Sequence, residues 1–220
     1  MAVANQTPAD VASEYATLQF VVRQLLNGMA TATLVRVMAC TNAGGVVPVG
    51  TVDVSPLVDM VTEQGETIPH GTIFKAPYMR IQGGASAIIL DPQPGDIGVC
   101  VFAMRDISAV KGDPDAARDR TPSPGAPPGS RRTYSLSDAL YLGGMLNGVP
   151  TQYVRFSDSG IELKTAGVVT VDAPTVHMTG NLNVDGTITG TVDVIAGTIS
   201  GKTHTHSGGT IDGDTGTPNA

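Results

Sequence analysis

Few residues in this chain could do chemistry, and two of them stand together. His204 and His206 lie in the stretch GKTHTHSGG (201–209), in a sequence with four histidines among 220 residues. Histidines two apart on an extended strand project from the same face, and imidazole is a common ligand for first-row metals. In one chain, two imidazoles make an incomplete site. The competing reading is a solvated pair in a polar tail, and spacing alone leaves both open. Just upstream, AGTISGKT (196–203) fits a permissive phosphate-loop pattern. That mechanism needs a helix directly after the Lys-Thr, so that its N-terminus and the Gly-rich backbone cradle the phosphates. THTHSGGTIDGDTGTPNA has no helical period, so the match reads as coincidence. Asp212-Gly213-Asp214 resembles the opening of a calcium loop but lacks the later acidic ligand. His177, among polar residues, reads as solvated, and His70, in TIPHGT, as a turn residue. No Ser-His-Asp ordering, catalytic Cys-His pair or convincing carboxylate pair is present, so the chain does not read as an enzyme.

The elements that would position these residues are mostly short strands. Aromatics make up 4% of the chain, Trp is absent, Gly reaches 27 residues and charged residues only 15%. That mix favours turns, strands and small side chains over helical bundles. The net charge of −7 repels a phosphate backbone, and no basic run with interleaved aromatics offsets it, so no nucleic-acid partner is expected. No apolar stretch approaches the ~20 residues of a membrane-spanning helix. MAVANQTPADVASEY lacks the basic head and apolar core of a secretory signal. Cys40 and Cys100, in LVRVMACT and DIGVCVFAM, read as buried thiols of a reducing compartment, with a disulfide between them left open.

The first segment, 1–29, predicts one helix over residues 8 to 29, capped by Asp10 after Pro8 and stopped at Asn27-Gly28. Apolar residues recur at Val11, Tyr15, Leu18, Val21, Val22, Leu25 and Leu26. So wide an apolar face must pack on the chain's next domain or on a neighbouring subunit. From 30 to 108, five strand-like runs alternate with turn chemistry such as NAGG, EQGE, QGGA and PQPGD. A five-stranded Greek-key barrel of the OB type fits that size and strand count. Residues 109–148 read as a Pro/Gly-rich linker, with five prolines between Pro114 and Pro128, followed by a short segment, SLSDALYLGGMLNG, of one or two helical turns.

The shaft-like region, 149–200, carries the most unusual pattern. The even positions Val176, Met178, Gly180, Leu182, Val184, Gly186, Ile188, Gly190, Val192 and Val194 are all apolar or Gly. The odd positions between them are His177, Thr179, Asn181, Asn183, Asp185, Thr187, Thr189, Thr191 and Asp193. Period-two alternation marks strands with one buried face. Globular strands usually turn within ~3–10 residues, yet here the phase holds for nineteen. One chain offers little to bury this row against. Wrapping identical chains around a common axis, apolar side inward, buries it and pairs the strand edges. The expectation is an obligate homo-oligomer, most simply a trimer, with an intertwined β-helical shaft; an open antiparallel β domain is the alternative. In a trimer, His204 and His206 of segment 201–220 would bring six imidazoles to one point. Six nitrogens suit octahedral Fe or Ni better than four-coordinate Zn.

These residues resemble a known family, the central spike proteins of contractile-tailed bacteriophage baseplates. FKAPYMRIQGGASAIILDPQPGDIGVCVFAMRDIS, with its PxxGDxG-like turn, resembles the family's OB-type N-terminal domain. The Gly-, Thr- and Val-rich repeat resembles its trimeric β-helix, and THTHSGG its apical His-X-His motif. The resemblance implies a non-enzymatic virion protein, assembled in the host cytoplasm into the tail baseplate, that punctures the host outer membrane when the tail contracts. It also implies a homotrimer contacting baseplate hub and tail tube proteins, with one iron ion per trimer held by His204 and His206. Ser207 to Ala220 follow the histidines and would have to fold back along the shaft. The alternatives are a receptor-binding or adhesive tail fibre, and a metalloenzyme with an open coordination position.

Overall fold

Ser13, rather than Asp10, starts the N-terminal helix. In the computed structural model, which describes residues 8–62, 64–112 and 126–203, Pro8–Val11 form a 3-10 turn and α1 spans Glu14–Asn27. Ser13 is extended (φ −157°, ψ 160°) and its hydroxyl accepts from the Ala16 N–H at 3.1 Å. This satisfies one of the orphan donors of the first turn. The single helix expected over 8–29 is therefore interrupted at residues 12–13. At the other end the Gly28 N–H reaches the Gln24 and Leu25 carbonyls, the stop expected of Asn27-Gly28.

Two units follow from the chain's own contacts, residues 1–151 and 152–220. In the first, the strands are β1 (Ala32–Cys40), β2 (Thr51–Pro56), β3 (Met60–Val61), β4 (Thr67–Ile68) and β5 (Ile73–Pro77). They continue with β6 (Ile81–Gly83), β7 (Ser86–Ile88), β8 (Ile97–Phe102) and, after the short helix α2 (Ser108–Gly112), β9 (Ala139–Gly144). Five of them form one antiparallel sheet in the order β5-β2-β1-β8-β9, while β3-β4 and β6-β7 are small hairpins. Alternation fixes which face is inside. Val52 and Val54 of β2, Cys100 and Phe102 of β8, and Val35 and Val37 of β1 point into one core with Ile73, Ala76, Tyr78, Ala139 and Tyr141. The sheet curls around that core until its ends meet. Tyr78 bridges Tyr141 in parallel, and the Met79 N–H donates to the Tyr141 carbonyl at 2.8 Å.

The fifth strand is a correction. Residues 139–144 were expected inside a linker ending in helical turns, but only Leu136–Asp138 form a 3-10 turn, and Ala139–Gly144 complete the sheet. The reason is period-two burial: Ala139 and Tyr141 are both inside, opposite Phe102 and Cys100. Their partner strand approaches very closely. A Cβ built on Gly98 would lie 2.3 Å from the Gly143 carbonyl oxygen, so β8 and β9 can meet here only with glycine at 98.

The second unit opens with a hairpin of β10 (Tyr153–Ser157) and β11 (Gly160–Lys164) and reaches a smaller one of β12 (Ile195–Ala196) and β13 (Ile199–Ser200). Residues 165–194, between the two, contain no strand. The molecule is thus mainly β, with one N-terminal helix and a curled antiparallel sheet.

Candidate functional site: an exposed apolar row in the C-terminal unit

Register sorts the β10–β11 hairpin into two faces. Val154 stands opposite Leu163 and Phe156 opposite Ile161, making one face wholly apolar. All four are exposed, Phe156 at 74%. The other face is polar and internally paired. The Tyr153 hydroxyl donates to Glu162 Oε1 at 3.1 Å, Arg155 pairs with the same carboxylate, and Lys164 Nζ sits 5.8 Å from the Tyr153 ring centroid. The hydrogen bond to Glu162 raises the Tyr153 pKa above its ordinary value. A two-stranded hairpin is marginal in water without something on its apolar face.

The alternating row continues the same condition. Val176, Met178, Leu182, Val184, Ile188, Val192 and Val194 are all exposed, from 41% at Val184 to 79% at Val192. Among the described residues this alternating pattern forms no strand and its apolar side is left uncovered.

Beyond the row, the chain turns back on itself. Gly197 has φ +66°, a left-handed conformation that glycine adopts freely, and it turns β12 into β13. Asp193 Oδ1 accepts from the Val194 and Lys202 N–H groups at 2.8 and 3.0 Å, and the Gly201 N–H donates to the Val194 carbonyl at 2.7 Å. The phosphate-loop look-alike 196–203 is thus a β-hairpin and its closure. His204 and His206, which follow it, lie outside the described residues. His177 is exposed and His70 half-buried. Among the described residues, no group of three or more His, Cys, Asp or Glu is placed to hold a metal ion.

The first unit holds polar clusters that the sequence did not signal. Arg132 Nε donates to Asp138 Oδ2 at 2.7 Å, and its Nη2 reaches both Asp106 Oδ1 (2.7 Å) and Asp138 Oδ1 (2.9 Å). Ser130 Oγ donates to Asp106 Oδ2 at 2.6 Å, and the Ile107 N–H to Asp138 Oδ1 at 3.1 Å. The cluster ties residues 106–108 to 130–138, the two flanks of the Pro-rich stretch. Bonds from Ser130 and Ser108, with Arg132 beside them, lower the Asp106 pKa to about 2. In a second cluster, buried Asp91 accepts from the Tyr78 hydroxyl (2.6 Å), Arg80 (2.8 Å) and the Gly44 N–H (2.8 Å). Arg80 also donates to the Val47 carbonyl. Both clusters fasten loops. Cys40 and Cys100 are free thiols, and burial pushes Cys100 up to about 11. No protein-family model matches the chain, and no curated protein shows significant similarity to it.

Proposed function

We propose that the chain is the trimeric central spike of a contractile-tail baseplate and that it pierces the host outer membrane mechanically, without catalysis. The observation that carries this reading is the row from Val176 to Val194, nineteen alternating residues that form no strand and whose apolar members are exposed. Three copies wound about one axis would give that backbone its ladder and its apolar side a dry interior. The apolar face of β10–β11 would begin the same interior. The order β5-β2-β1-β8-β9, with its parallel bridge between Tyr78 and Tyr141, supports an OB-type barrel as the N-terminal domain, the adaptor to the baseplate hub.

In this reading His204 and His206, taken three times, form the ligand set of one iron ion at the tip. Six imidazoles fit an octahedral first-row metal. A saturated metal supplies no reaction; it would pin three chain ends together, because a ligand that binds only the assembled state stabilises it. Acidic net charge suits a shaft that must pass anionic lipid headgroups without sticking.

Native mass spectrometry of the purified full chain, with metal analysis of the same sample, tests this. A mass near three times 22.5 kDa with about one iron per three chains is expected. A monomer overturns the proposal.

A further inference from the structure

No residue of α1 is buried, although the helix carries a continuous apolar stripe. Tyr15, Leu18 and Leu25 are each more than 60% exposed, and Val11, Val21, Val22, Leu26 and Met29 are exposed beside them. The spacing of the stripe is informative. Within α1, Tyr15, Leu18, Val22 and Leu25 advance by steps of three, four and three residues, with Val11 in the preceding 3-10 turn and Met29 just past the Gly28 cap. That is a 3.5-residue period, the a/d seam of a coiled coil. Leu18 and Leu25 take the d positions, while Tyr15 and Val22 take a.

We infer that α1 packs against α1 of other copies of this chain, parallel and in register, forming a self-association surface of the N-terminal unit. The number of copies, three, rests on the spike reading above. A seam with this repeat is complementary to itself, because a knob from each a or d layer enters the hole made by the same layer of its neighbour. Val21 and Leu26 fall at g and e and widen the seam beyond a strict a/d stripe, as a helix contacting two neighbours requires. Closed rotational symmetry makes the helices parallel. The stripe within α1 exposes on the order of 600 Å² per copy, most of the roughly 800 Å² each partner contributes to a standard interface. A lipid surface is the poorer occupant. Only Asp10, Glu14 and Arg23 are charged between residues 8 and 29, whereas interfacial helices carry a Lys/Arg-rich polar face.

A 14-residue helix is marginal by itself. Its seam therefore depends on the copies being held together elsewhere, which raises the effective concentration of one helix near another. With the stripe used between copies, contact with the hub falls to the other surfaces of the unit.

Cysteine cross-linking in the full-length chain tests the seam. Leu18→Cys and Leu25→Cys stand at d, and Asn27→Cys at f, on the outside. A disulfide needs Cα atoms within about 7 Å, which facing d positions satisfy and f positions do not. Mild oxidation is expected to link 18 to 18 and 25 to 25, identified by peptide mapping, at least tenfold more than 27 to 27. Native mass of the same reduced variants reads trimer formation separately. A trimer whose 18–18 yield is no higher than its 27–27 yield overturns the seam and leaves the spike reading standing. Links of 18 to 25 overturn the parallel register. A monomer overturns the spike reading and the seam with it.

Discussion

Asp138 joins the two flanks of the Pro-rich stretch in the N-terminal unit. Its side chain is fully buried and accepts from Arg132 and from the Ile107 N–H, with Asp106 bound to the same guanidinium. Buried charge of this kind is stable only while every partner is present. Asp138→Ala leaves Arg132 and a backbone donor short of an acceptor, and should cost about 3 kcal/mol of unfolding free energy at neutral pH. The pH dependence has a definite sign. The bond from Arg132 lowers the Asp138 pKa, bonds from Ser130 and Ser108 lower Asp106 to about 2, and the Tyr78 and Arg80 bonds lower Asp91. The unfolded chain therefore takes up protons at higher pH than the folded one. The contribution of these carboxylates is complete above the ordinary carboxylate value of 3.8 and is lost as pH falls below it, for Asp106 through about 2. Urea midpoints measured across that range should fall in the wild type and converge on those of Asp138→Ala. Parallel curves would show that the Asp138 pair contributes nothing specific to acid stability.

At the scale of elements, what the sequence discloses depends on how local the cause is. The strands β2 and β8 are legible because Val52, Val54, Cys100 and Phe102 repeat every second residue within each run. The helix is legible from its stripe, yet its start is not. Asp10 and Ser13 are both acceptable caps, and the choice falls to the residue whose backbone is extended, Ser13. Strand β9 was hidden by the proline-rich composition before it, and its burial depends on pairing with β8, some forty residues upstream. The Arg132 cluster was hidden for the same reason, since Asp106 lies 26 residues from its partner. Of the candidate site, the alternation was legible in the sequence, but what covers its apolar side was not, since its described residues are exposed. The β8–β9 pairing makes its own prediction. Gly98→Ala sets a methyl group against the Gly143 carbonyl and the Tyr141 ring, so the strands must separate. A loss of about 1–3 kcal/mol is expected from such overpacking. Gly71→Ala, with nothing within 4 Å of the added carbon, should change the thermal midpoint little. Equal midpoints for the two variants would show that β8 and β9 are less tightly apposed than described.

At the scale of the molecule, the proposed spike divides its stability between a long interface and a small tip. The row from Val176 to Val194 would bury apolar surface in three chains along its whole length, whereas the metal would hold only their ends. These contributions are separable because they are of different kinds: one is spread over many weak contacts, the other concentrated in a few coordinate bonds that need neutral imidazole. Replacing both His204 and His206 with Ala should therefore remove the iron entirely while the trimer stays assembled. The tip should become the first part of the variant to open, seen as faster amide exchange near the C-terminus with unchanged protection in the curled sheet. Mild acid should mimic the substitution in the wild type, releasing metal as the imidazoles protonate. Loss of trimers on removing the histidines would place the source of assembly at the tip, not in the shaft. Retained trimers without metal would place the source of assembly outside the tip, in the alternating row together with the α1 seam.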